Sequence, residues 1–246
     1  MTIVAGPAAA PAIVFVHGMR LTGSMWAAQQ GALAGEFLTI ALDLPGHGLR
    51  AAEPFTLEGA ADALSAAIRD HAGGRAVVVG LSLGGYVAMT LAAREPERIR
   101  GLVLSGATAE PVGPWSLPYL AFAAVLERVD EARLQRINAW YFRRRYPAAI
   151  AEPIIAGGFW FRGGATALRA LVGERFAPRL AAYPGPTLLL NGELDPVFRL
   201  GARRFAAAAQ NARLVRLDGA THLANLDRPV AFSGAVRRFA TSLGTD

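Results

Sequence analysis

The chain has no cysteine and no lysine. Without cysteine there is no disulfide, no thiolate metal site and no cysteine nucleophile. The missing lysine, beside a great many alanines, reads as codon bias in a GC-rich genome. No apolar run reaches the ~18–20 residues of a membrane span, so no membrane partner is expected. The stretch from Met1 to Pro11 lacks the basic start and long apolar core of a secretory signal, which makes a cytoplasmic location the expectation. There is also no internal repeat, no low-complexity linker and no long charge run. The net charge is +6, but the arginines are spread from Arg20 to Arg238 rather than gathered on one stripe, so no nucleic-acid partner is expected. Nothing in the sequence chooses between a monomer and a homodimer.

What is present is a large apolar fraction, 53% of 246 residues, enough for one sizeable core. Short apolar strands alternate with longer helical segments, the pattern of βαβ units around a parallel sheet. Strands are expected at Ala12–Val16, Phe37–Leu42, Ala76–Val79, Gly101–Leu104, Thr187–Leu190 and Arg213–Leu217. Helices are expected at Ser24–Ala34, Thr56–Ala72, Leu83–Arg94, Leu200–Ala209 and Pro229–Thr241. Thr56 fits an N-cap, and Leu57, Ala60, Ala61, Leu64 and Ile68 form an apolar face at helical spacing. Between Ala107 and Ala182 the alternation stops and gives way to helical pieces broken by proline and by Gly157-Gly158. The spacing therefore predicts a core of residues 1–106 and 183–246, with a helical cap or lid at 107–182.

Gly80-Leu81-Ser82-Leu83-Gly84 carries the chemistry. It ends one expected strand and opens a helix, the context in which a G-x-S-x-G serine becomes an exposed nucleophile. Small residues must flank such a serine because strand and helix crowd together there, and the helix N-terminus favours a developing oxyanion. The backbone N–H of Leu83 is one candidate oxyanion donor. The second is that of Met19, in the His17-Gly18-Met19 loop after the first expected strand. A serine hydroxyl needs a base near neutral pH. Of four histidines, His71 reads as a helix end, while His47 and His17 read as structural loop residues. His222 follows the last strand at the carboxyl edge of the sheet and is the expected base. Asp195, just past strand Thr187–Leu190, is the expected acid to orient it. Glu193, Asp218 and Asp227 are its competitors, and the stretch Ser105 to Thr108 offers no carboxylate.

Taken in order, His17-Gly18, Asp43 to Gly48, Gly80 to Gly85, Gly192 to Asp195 and Gly219 to His222 resemble the α/β-hydrolase superfamily over nearly the whole chain. The resemblance implies an α/β-hydrolase fold: an eight-stranded, mostly parallel central sheet flanked by helices, here short of the first strand or two because little precedes Ala12. It also implies an acyl-enzyme mechanism with no cofactor and no metal. The look is nearest to small carboxylesterases and enol-lactonases, so the expected substrate is a small-molecule ester, thioester or lactone. Perhydrolase or haloperoxidase-like chemistry, acyl transfer, carbon–carbon hydrolysis and a ligand-binding sensor remain as alternatives. The cap window holds 11 of the 21 aromatics, which suggests an apolar or aromatic part to the substrate. Arg20, Trp115, Trp140, Phe159 and Trp160 are the candidate substrate contacts. Arg143-Arg144-Arg145 is read as a solvated helix end more readily than as an anion site.

Overall fold

The computed structural model describes residues 2–244. Their strands form one seven-stranded sheet: β1 (Thr2–Ala5), β2 (Ala12–Val16), β3 (Leu38–Leu42), β4 (Ala76–Leu81), β5 (Ile99–Ser105), β6 (Pro186–Gly192) and β7 (Asn211–Leu217). The spatial order is β1-β3-β2-β4-β5-β6-β7, all parallel except β1, which runs antiparallel to β3. The sequence pattern places no strand before Ala12. Strand β1 was invisible to it because four half-exposed edge residues carry no burial pattern.

Strands β2 to β6 are buried almost throughout, which is why they read as continuous apolar runs. Side chains alternate between two cores. Val14, Val16, Val78, Leu102 and Leu104 join one cluster with helices α2 (Leu57–His71) and α3 (Leu83–Arg94). Ile13, Phe15, Val77, Val79 and Val103 join the other, with α1 (Ala27–Leu33) and, further on, α11 (Pro229–Thr241). Thr56 caps α2 as its residue type suggests, accepting from the Gly59 N–H at 3.0 Å.

Between β5 and β6 the chain makes no strand but a 3-10 turn at Gly113–Ser116 and five α-helices: α4 (Leu117–Arg128), α5 (Glu131–Arg145), α6 (Ala148–Gly157), α7 (Phe161–Leu171) and α8 (Phe176–Ala182). α4 packs on α7 and α5 on α6, while α8 lies against α3, with Phe176 and Tyr86 ring centroids 4.4 Å apart. The helix expected from Leu200 starts earlier: α9 spans Pro196–Ala208, with Pro196 at its first position and Asp195 as N-cap. The short α10 (Ala224–Asp227) precedes α11. Among the described residues no helix is long and apolar enough to cross a membrane.

The strand order decides where a ligand can sit. The chain leaves β2 towards β3 on one side and builds from β4 to β7 on the other, so the loops after β2 and β4 part company. Open α/β sheets bind ligands in the crevice at the carboxyl ends of the strands at such a point.

Candidate active site

Ser82 stands at that crevice, between the end of β4 and the start of α3. Its φ of 53° and ψ of −116° make it one of only two non-glycine residues with positive φ among those described. An L-residue held there stores backbone strain of about 1–3 kcal/mol. The surroundings enforce it: the Ser82 N–H donates to Ser105 O of β5 at 2.8 Å, and Ser82 O accepts from the Gly85 N–H at 2.9 Å. Close packing explains the flanking glycines. A Cβ on Gly80 would fall 2.4 Å from Gly84 O, and one on Gly84 would fall 2.2 Å from Val16 O. The elbow thus brings the backbones of β2, β4 and α3 into contact.

The loop after β2 supplies the opposite wall. The backbone N–H groups of Met19 and Leu83 have no acceptor among the described residues, unlike those of Ser82, Arg20 and Leu21. Two buried histidines shape this loop. His17 Nδ1–H donates to Gly18 O at 2.8 Å, and its Nε2 accepts from the Leu44 N–H at 2.9 Å. His47 Nδ1–H donates to Pro45 O at 3.0 Å, and its Nε2 accepts from the Arg20 N–H at 3.2 Å. Each ring uses one nitrogen as donor and one as acceptor, a pattern only the neutral imidazole can satisfy. Burial pushes His17 down to about 3, assisted by His47, and pushes His47 down to about 4.

This sets a pH dependence. In the unfolded chain both imidazoles take up protons below about pH 6.5. In the native state they stay neutral until about pH 4 and about pH 3. Between those limits the unfolded state binds more protons, so stability is present above pH 6.5 and is lost as pH falls. The pair is expected to lower stability by about 2–3 kcal/mol between pH 7.5 and 5.5. Urea melts at the two pH values check this. His47→Asn should remove about half of the difference, and an unchanged pH dependence in that variant would refute the assignment.

His222 and Asp195 meet across the carboxyl edge. His222 Nδ1–H donates to Asp195 Oδ2 at 2.8 Å; the aspartate is buried and the imidazole half-exposed. Asp195 Oδ1 accepts weakly from the Phe198 N–H at 3.4 Å, so α9 fixes the carboxylate from its own first turn. Phe198 also stacks on the His222 ring, with centroids 4.8 Å apart. Gly106, at φ 58° after β5, lies behind the pair: a Cβ there would meet His222 Nδ1 at 2.8 Å. Its N–H donates to Asn191 Oδ1 at 2.9 Å. Two of the competing acids have other tasks. Glu193 accepts from the Gly219 N–H at 2.9 Å. Asp227 Oδ2 accepts from the Thr221 N–H at 2.7 Å, which anchors the loop bearing His222.

Ser82, His222, Met19 and Leu83 all line one cavity of about 470 Å³. Its remaining wall is largely apolar and comes partly from the helical excursion: Tyr119 and Phe122 on α4, Tyr141 on α5, and Leu168 and Leu171 on α7. Of the five sequence-expected substrate contacts, only Arg20 lines it. Trp115 and Trp140 are 72% and 67% exposed and stand outside. Phe159 is buried between Phe142 and Phe161, where it fills the core of the helical excursion. Trp160 donates its indole N–H to Gly157 O at 3.0 Å and its backbone N–H to Arg20 O at 2.8 Å. Sequence reasoning gives no role to Phe198 or Gly106, and it counts Tyr119, Phe122 and Tyr141 among the aromatics of the window without singling them out as substrate contacts. The aromatic content of the window was a fair signal, but which ring faces the cavity depends on how α4, α5 and α7 pack.

Residues 13–235 match the model of the alpha/beta hydrolase family. The chain belongs to that family. This α/β hydrolase is 30% identical to a pimeloyl-[acyl-carrier protein] methyl ester esterase of Chromobacterium violaceum, over 96% of its own length and 95% of that protein's. Among solved structures it resembles a thermophilic esterase from Thermogutta terrifontis, at a TM-score of 0.83 and 26% identity over 100% of this chain and 94% of that one. It also resembles the enol-lactonase from Burkholderia xenovorans LB400, at a TM-score of 0.80 and 28% identity over 98% of this chain and 96% of that one. The α/β hydrolase is a carboxylesterase-like enzyme.

Proposed function

We propose that the enzyme hydrolyses a small carboxylic ester, thioester or lactone through an acyl-enzyme on Ser82, with His222 as base and Asp195 as the residue that orients it. The observation that carries this reading is the 2.8 Å His222–Asp195 bond facing the same cavity as the strained Ser82. His222 Nδ1 is occupied by Asp195, so Nε2 is the nitrogen left to take the Ser82 proton. As Ser82 Oγ bonds to the carbonyl carbon, the electron pair moves to the carbonyl oxygen, which accepts hydrogen bonds from the N–H groups of Met19 and Leu83. The carbon–oxygen bond to the alcohol then breaks, and His222 returns the proton to the departing alcohol. Water adds to the acyl carbon with His222 again taking a proton, the acid leaves, and Ser82 regains its hydrogen.

The curated relatives are named for an acyl-carrier-protein ester. For this chain we propose the broader class, an ester whose apolar part fills the wall of Tyr119, Phe122, Leu168 and Leu171. Helices α4 to α7 then act as the cap. Two assays test the reading. p-Nitrophenyl esters from acetate to decanoate should turn over, with kcat/KM rising to an optimum chain length. An alkyl fluorophosphonate should inactivate the enzyme at one equivalent, with the added mass on the peptide holding Ser82. Inert esters, or label on another residue, would refute it.

A further inference from the structure

Among the described residues no aspartate or glutamate lines the cavity, and Arg20 is its only arginine. Several arginines elsewhere are matched with acids even on the open surface, as in Arg94 with Glu58 and Asp62, Arg143 with Glu152, and Arg169 with Glu127, and those that are not stand outside this cavity. Arg20 is partly buried and stands in no ion pair among the described residues. Of the five N–H donors on its guanidinium, one finds an acceptor within the protein: Asn138 Oδ1 on α5. The Asn138 amide cannot turn to offer more, since its Nδ2 donates to Leu134 O at 2.8 Å. On another side the guanidinium lies 5.9 Å from the Phe161 ring centroid.

The backbone that carries Arg20 is clamped. Its N–H is held by His47, its carbonyl by the Trp160 N–H, and its φ is 61°, a conformation an L-residue adopts at a cost of about 1–2 kcal/mol. A strained and pinned backbone here directs a cation towards an apolar chamber. Burial already weakens the charged form, with Tyr141 acting against that effect, yet an arginine stays cationic at neutral pH. A desolvated charge with most donors unused is unfavourable until a counter-charge arrives.

We propose that Arg20 is an anion subsite and that the natural ester carries a carboxylate which this guanidinium binds while the ester carbonyl lies at Ser82. The planar fork suits a carboxylate bidentately. Arg20 directly follows Met19, so one loop reads both the carboxylate and the developing oxyanion. The substrate class is therefore a half-ester or lactone bearing a free acid, with an apolar spacer. This inference rests on the hydrolase reading but is separable from it, because neutral esters report the chemistry and the charged-to-neutral ratio reports Arg20.

The test is a pair of matched comparisons by kcat/KM. For a carboxylate on the acyl side, 4-nitrophenyl hydrogen adipate is set against 4-nitrophenyl hexanoate. For one on the alcohol side, 4-acetoxybenzoate is set against its methyl ester. The wild type should favour the charged member about tenfold or more in at least one pair, chiefly through KM, and salt should weaken the preference. Arg20→Gln should bring that ratio near unity. Should that variant fail to fold, Asn138→Asp decides, since it sets a carboxylate against the guanidinium and should abolish the preference. A wild-type ratio at or below unity in both pairs, or a ratio that survives neutralisation of Arg20, overturns the proposal. Failure of every ester, charged and neutral, would instead overturn the hydrolase reading.

Discussion

Ser82→Ala is expected to lower kcat/KM for a good p-nitrophenyl ester by about 10⁴-fold or more, with the fold unchanged. Alanine keeps the Cβ and so keeps the backbone strain at φ 53°, whereas glycine would release it and confound the comparison. The hydrogen bonds that form the elbow, Ser82 N–H to Ser105 O and Gly85 N–H to Ser82 O, are backbone bonds and survive the change. What is removed is the Ser82 hydroxyl, on the residue that lines the same cavity as His222. Residual rate over water would come from the Met19 and Leu83 donors and from binding. Steady-state rates with thermal melts of both proteins check this. A variant with the wild-type rate would exclude Ser82 as nucleophile.

Gly84→Ala is expected to destabilise the fold by about 3 kcal/mol or more and to abolish turnover. The added Cβ would lie 2.2 Å from Val16 O, 2.6 Å from Val16 C and 2.8 Å from His17 O. All three are backbone atoms at the end of β2, which sits inside the sheet and cannot retreat as a flexible side chain can. Relief therefore requires α3 to move off β2, and that motion separates Leu83 from the Met19 loop. Gly31→Ala is the internal control. That glycine lies within α1 with nothing within 4 Å of a new Cβ, so alanine there should stabilise by up to about 1 kcal/mol through helix propensity. Urea unfolding of the two variants distinguishes these cases, and equal midpoints would refute the packing argument.

Much of this was legible because the relevant signals are local. Strand β4, the elbow and helix α3 follow one another within Ala76–Arg94, so apolar run, turn chemistry and helix were read from adjacent residues. Asp195 and His222 are far apart in sequence, but each lies in the loop that follows a strand, and parallel strands deliver their following loops to one edge. Their 2.8 Å meeting was thus implied by topology. The start of α9 was misplaced although Asp195-Pro196 is a helix-start signature. Asp195 was read for its carboxylate alone, and it serves as both cap and partner to His222.

The substrate wall was legible only as composition. Aromatic rings of the helical excursion divide between cavity, internal core and solvent. Tyr119 and Phe122 reach the cavity, Phe142 and Phe159 fill the core, and Trp115 stands exposed. These rings are all large aromatics within that excursion, so only the packing of α4, α5 and α7 sorts them. Arg20 shows the same division. Its residue type and its place after the β2 loop are written in the sequence. Its isolation from every acid, its grip on Asn138 and its neighbour Phe161 arise from residues more than 100 positions away. The sequence by itself determined the strand order of the chemistry and which atoms could perform it, because those depend on local turns and on the parallel sheet. The tertiary structure alone decided which side chains face the chamber and that the arginine among them has no acid beside it, because both depend on long-range packing that local periodicity does not encode.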